Sequence, residues 1–134
     1  PAPLSQWPRG AERRLPPLGD GDVLAGIGGG AGRYTGRACV LTDPSQLERL
    51  QPGDVLVAPF TDAAWTPLFL VAGAVVVDVG ALNSHAVVVS RELGIPSVLS
   101  VQTATSQIVD GMELTVDGTA GTVTVDRSAT TATV

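Results

Sequence analysis

The chain has 134 residues, 44% of them apolar and 16% charged, which is enough for one domain with a modest core and too little for two. No apolar run approaches the roughly 20 residues that span a bilayer. The net charge of -5, with basic residues scattered from Arg9 to Arg127, leaves no positive stripe for a nucleic-acid backbone.

Residues 1–22 hold five prolines (Pro1, Pro3, Pro8, Pro16, Pro17) with Arg9, Arg13 and Arg14, and no helix or strand period survives there, so they read as a linker or tail. From Val23 short apolar runs separated by glycines lead through 26-GIGGGAGRYTGRACVL-41 into a predicted strand at 37–41. A dinucleotide fingerprint, which requires a strand before it and a helix after it, is disfavoured because a β-branched strand pattern follows; a loop with positive-φ turns is expected. Asp43 and Pro44 stand as N-cap and first-turn residues of a short helix to Leu50, and Pro52-Gly53-Asp54 turns the chain into the strand 55-VLVAP-59. Thr66-Pro67 starts another helix, Gly73 stops it, and 74-AVVVDV-79 reads as a strand covered on both faces.

A further strand is expected at 97–101, then a polar stretch to Asp110-Gly111, and 113-ELTVDGTAGTVTV-125 alternates as a hairpin turning at Gly118 to Gly121. Residues 127–134 read as a tail. Six strands and three short helices over 23–126 give an α/β or α+β domain around a central sheet. Pro1 at the start, with Met112 the sole methionine, suggests a chain cut or processed from a longer protein. The single thiol and the lack of an apolar h-region make the cytoplasm the expected location.

Reactive side chains are few. The absence of lysine removes Schiff-base chemistry and the P-loop lysine, and one cysteine, Cys39, with one histidine, His85, cannot build a Cys/His zinc site. No metal site is expected. His85 stands out by its setting, because Ser84 has the character of an N-cap, Gly94 of a C-terminal stop, and Pro96 follows. Val87, Val88 and Val89 favour a strand, so the helix reading rests on its caps outweighing β-branching. In the first turn of a helix the unpaired N–H groups disfavour an imidazolium, and a neutral ring nitrogen there can attack phosphorus. The N–H groups, the Ser84 hydroxyl and Asn83 would hold the phosphoryl oxygens. A lone histidine is more commonly a satisfied structural residue, and Ser84 more commonly a cap alone.

The string 72-AGAVVVDVGALNSHAVVVSRELGIPSV-98 resembles the phosphohistidine signature of the phosphoenolpyruvate-utilising enzymes, which runs strand, Gly-Gly, Thr or Ser, His, apolar run, Ala-Arg-Glu and Gly-Ile-Pro. The likeness extends to 53-GDVLVAPFTDAAWTPLF-69 and 110-DGMELTVDGTAGTVTV-125, about residues 24–125 in all. It implies a swivelling β/β/α sandwich with a central, mostly parallel sheet, short helices and a C-terminal hairpin. It also implies a phosphoryl-carrier function: His85 accepts a phosphoryl group from an ATP-grasp domain or subunit and delivers it to a second site, either pyruvate/phosphoenolpyruvate or a small hydroxylated compound. Mg-ATP would belong to the partner domain, with no cofactor on this one. Thr61, Asp62, Trp65 and Thr66 are most similar to the rifampicin-phosphotransferase-like branch.

Two departures stand out: Gly-Gly reads Gly80-Ala81, and the Ala before Arg91 reads Ser90, a change expected to be tolerated on a helix face. Arg91 could pair with phosphate or a partner domain, or equally form an exposed ion pair with a nearby acid. Ala81 is the one feature favouring a rival reading, a non-catalytic scaffold that keeps the fold without being phosphorylated. A weaker third reading is a small-anion binding domain.

Overall fold

The computed structural model describes residue 19 and residues 21–79, 85–101 and 104–127, so the tail readings at both termini fall almost wholly outside the described residues. Eight strands form one sheet: β1 (Val23–Ala25), β2 (Ile27–Gly28), β3 (Arg33–Val40), β4 (Val55–Ala58), β5 (Ala74–Val77), β6 (Ser97–Leu99), β7 (Glu113–Asp117) and β8 (Thr122–Arg127), ordered β1-β8-β7-β3-β4-β5-β6-β2. Three α-helices accompany them: α1 (Thr66–Val71), α2 (His85–Leu93) and α3 (Ala104–Gln107). The four central strands β3 to β6 are parallel, as expected. The flanking pairs are antiparallel, so the eight-stranded sheet is mixed around this parallel centre. The reason is local: the β7–β8 hairpin and the two short N-terminal strands pair antiparallel at the flanks.

Two cores follow from period-2 alternation. On β4, Val55 and Val57 face one apolar cluster while Leu56 and Ala58 face the other; on β5, Ala74 and Val76 oppose Val75 and Val77 in the same way. The first cluster lies between the parallel strands and the hairpin residues Leu114, Val116, Val123 and Val125. The second lies between the parallel strands and the helices, around Trp65, Leu68, Phe69 and Val87. A strand buried on both faces needs apolar residues at every position, which is why these runs are continuous in sequence. Cys39 sits in the second core; burial pushes its thiol up, and the Asp110 and Asp54 carboxylates push it further.

The ends of the strand order, β1 and β2, are consecutive in the chain with Gly26 alone between them, so the sheet folds back to close on itself. The glycine-rich segment forms this seam. A Cβ on Gly28 would lie 2.0 Å from the carbonyl oxygen of Gly118, and one on Gly118 would lie 1.7 Å from that of Gly30. Only Gly32, at φ 114, adopts a left-handed conformation between Gly26 and Gly32. The expectation of a loop of positive-φ turns is therefore corrected: these glycines are required mainly by close backbone approach.

The structure has two strands more than expected, β1 and β2, and the unexpected helix α3. The short helix after Asp43 is a 3-10 turn, Pro44–Arg49, with a full capping box in which Ser45 N donates to Asp43 Oδ1 at 2.8 Å and Asp43 N to Gln46 Oε1 at 3.2 Å.

Candidate functional site

β4 and β5 end side by side, and their parallel register continues past the strands: Asp78 N donates to Ala58 O and Val79 N to Pro59 O. This sets Asp78 and Val79 alongside Ala58 and Pro59, where the segment Phe60–Asp62 begins. That segment is shaped by Asp62, whose carboxylate accepts from Ala64 N at 3.0 Å and caps the 3-10 turn Ala63–Trp65. Trp65, 2% exposed, pins that turn into the second core, and Pro67 opens α1 directly behind it.

Thr61 and Thr66 thus stand at the two ends of one anchored turn, and the imidazole of His85 lies between them. Thr61 Oγ1 is 3.1 Å from Nδ1, and Thr66 Oγ1 is 3.1 Å from Nε2. A neutral imidazole donates at one nitrogen and accepts at the other; a hydroxyl can do either, so both tautomers are satisfied. Phe69 meets the ring edge-on, with centroids 5.3 Å apart and an interplanar angle of 74°. The ring is half-buried and held by these three contacts.

His85 is the first described residue of α2, so the helix reading prevails over the β-branched valines. Ala86, Val87 and Ser90 face the sheet, and the C-terminus is a Schellman motif, with Gly94 N donating to Arg91 O and Ile95 N to Ser90 O while Gly94 takes φ 73. Asn83 and Ser84, expected to hold phosphoryl oxygens, lie outside the described residues together with Gly80 and Ala81.

Two expectations are corrected. Ser90 is fully buried rather than on an open helix face: its Oγ donates to Val87 O and meets Ser97 Oγ at 2.8 Å, which in turn accepts from Gly30 N. Arg91 forms no ion pair among the described residues; its Nε donates to Gly29 O at 2.9 Å.

The hydroxyls of Thr61 and Thr66 were not assigned a role from sequence, although a threonine at each end of a capped Asp-Ala-Ala-Trp turn is the signal that marks them. Asp78 was missed as well. It is buried where β5 ends, and its carboxylate takes the backbone N–H of Thr105 at 3.0 Å and the Thr105 hydroxyl, tying α3 to the mouth of the segment that leads to His85. Among the described residues no three His, Cys, Asp or Glu side chains gather to hold a metal, and no helix is long and apolar enough to cross a membrane.

With a histidine so placed on a β/β/α frame, comparison with known proteins is informative. The chain is 43% identical over 106 residues to the prodigiosin synthesizing transferase PigC of Serratia marcescens, a match over 78% of this chain and 12% of that protein. It is 43% identical over 101 residues to the phosphoenolpyruvate synthase of Pyrococcus furiosus, covering 75% of this chain and 12% of that one. The chain thus spans about an eighth of these relatives' length. Among solved structures, the solution structure of an Enzyme I protein matches 65% of this chain and 36% of its own, with a TM-score of 0.53 and 29% identity. The family described as PEP-utilising enzyme, mobile domain, matches residues 50–121, more than half the chain, and the chain belongs to that family.

Proposed function

We propose that this domain is a phosphoryl carrier that accepts a phosphoryl group on His85 from an ATP-grasp domain or subunit and passes it to pyruvate or a small hydroxylated compound at a second site. The observation that carries this reading is the presentation of His85 in the first turn of α2, with its ring held by two hydroxyls and, among the described residues, no charged side chain bonded to it. The family's relatives include a phosphoenolpyruvate synthase and a rifampicin phosphotransferase, which supports phosphoryl transfer as the class of chemistry.

In the proposed step the lone pair of a ring nitrogen attacks phosphorus, the bond from phosphorus to the nucleotide oxygen breaks, and that oxygen leaves with the electron pair. The threonine on the attacking nitrogen rotates its hydroxyl away, while the other threonine keeps the ring oriented by accepting a hydrogen bond from its N–H, which stays on the ring. In the second step an acceptor oxygen attacks, the N–P bond breaks, and the electron pair returns to the ring. The domain supplies neither nucleotide nor metal; Mg-ATP belongs to the partner.

The test is incubation of the chain with an active ATP-grasp partner and labelled ATP. Label that is acid-labile, base-stable and absent from His85→Ala is the expected result. Label on serine, or none with an active partner, overturns the reading in favour of a scaffold.

A further inference from the structure

The carrier reading makes no use of Arg91. This residue occupies the last turn of α2, and its Nε is committed to the carbonyl of Gly29. That single bond fixes the plane of the guanidinium, and the four N–H bonds of its two terminal nitrogens have no partner among the described residues. Beside it opens a cleft of about 340 Å³ whose walls include Gly29, Gly30, Ala31, Ser90 and Gly94. The N–H of Ala31 is likewise without a partner among the described residues.

The floor of the cleft is already satisfied. Gly30 N, Ser97 Oγ, Ser90 Oγ and Val87 O form an unbroken hydrogen-bonded chain beneath it. Nothing in the floor demands a ligand, whereas the terminal nitrogens of Arg91 and the Ala31 N–H are donors without a partner among the described residues. Among the described residues no acidic side chain lines the cleft. The walls are nearly bare of side chains, and a Cβ on Gly94 would meet nothing within 4 Å, so access to the guanidinium is open.

We propose that this cleft is an oxyanion site, in which the outer edge of Arg91 takes two oxygens of a carboxylate or phosphate and the Ala31 N–H bonds the ligand from the glycine wall. A planar guanidinium held in advance suits bidentate recognition, and it loses less freedom on binding than a free arginine would. The site is separate from the histidine: six residues of helix place Arg91 about 9 Å along the axis from His85. It does not depend on His85 being phosphorylated.

The test is titration of the nitrogen-15-labelled chain with sodium phosphate and, separately, sodium acetate at constant ionic strength set by sodium chloride, reading the Arg91 Nε–H and the amides of Gly30 and Ala31. The expected result is saturable shifts in the millimolar range that chloride does not produce. Arg91→Lys keeps the charge and removes the fork, and weakens binding by about tenfold. Saturation by acetate alone assigns the site to carboxylates, such as an acidic side chain of a partner; saturation by phosphate alone assigns it to phosphate.

Unsaturated drift with both anions overturns the proposal, as does an undiminished response in Arg91→Lys whose thermal unfolding matches the parent. His85→Ala titrates like the parent chain, which separates this site from the start of α2.

Discussion

The glycine seam and the histidine clamp are both places where separate segments meet at close range, yet they are built from opposite materials. In the seam, Gly26, Gly28, Gly30 and Gly118 each face a backbone carbonyl too closely for a Cβ to fit. In the clamp, two strand ends and a capped turn converge so that side chains do the touching, hydroxyl to imidazole. The seam therefore tolerates no added atom, whereas the clamp tolerates substitution sterically and pays in orientation. A change in the first should be read in stability, and a change in the second in chemistry.

The largest expected effect is at Gly118. An alanine methyl there would sit 1.7 Å from Gly30 O and 3.0 Å from Ser97 N, and both are backbone atoms that cannot swing aside. Gly118→Ala should cost about 3 kcal/mol or more, the upper range of overpacking, as measured by denaturant unfolding. A loss below about 1 kcal/mol would mean that the seam is not closed as described.

The clamp should behave in the opposite way. Thr61→Val and Thr66→Val each remove one half-buried hydrogen bond, so each should cost about 1 kcal/mol in unfolding. Each variant should also change the ring nitrogen-15 shifts of His85, at Nδ1 for the first and at Nε2 for the second. Under the carrier reading, phosphoryl uptake should fall by about tenfold to a hundredfold through misplacement of the ring. Unchanged uptake in both variants would show that the hydroxyls do not position His85.

The same contrast separates what could be read from sequence. Caps and buried strands are local and were readable: the Asp43 N-cap, the Gly94 stop and the doubly apolar β4 and β5 all stand where the residue pattern places them. The seam was not readable, because β1 and β2 are three and two residues long and exist only through pairing with partners such as Thr124 and Leu99, far along the chain. Helix α3 was equally hidden, since its start is fixed by the carboxylate of Asp78, just past β5. For the site, the position of His85 on a helix was legible from the flanking caps. The identity of its neighbours was not, because Thr61 and Thr66 reach the ring only through the parallel alignment of β4 and β5. Ser90 looked innocuous as a single replacement of alanine; its meaning lies in Ser97, the hydroxyl it meets across the core.

The smallest expected effect concerns a cap in neither region, and it tests whether such local signals carry stability of their own. The amide and hydroxyl of Ser45 hold the Asp43 carboxyl below its usual range, and Asp43 is fully exposed. A carboxyl depressed in the folded state contributes stability that is fully present above its unfolded pKa and is lost as pH falls through the folded one. Asp43→Asn keeps a side-chain acceptor for Ser45 N but cannot titrate. Its unfolding free energy should therefore depend less steeply on pH through the acid range than the parent's, with the two chains close at neutral pH. Identical acid limbs would show that the capping box, although fully formed, leaves the fold's acid stability to other carboxylates.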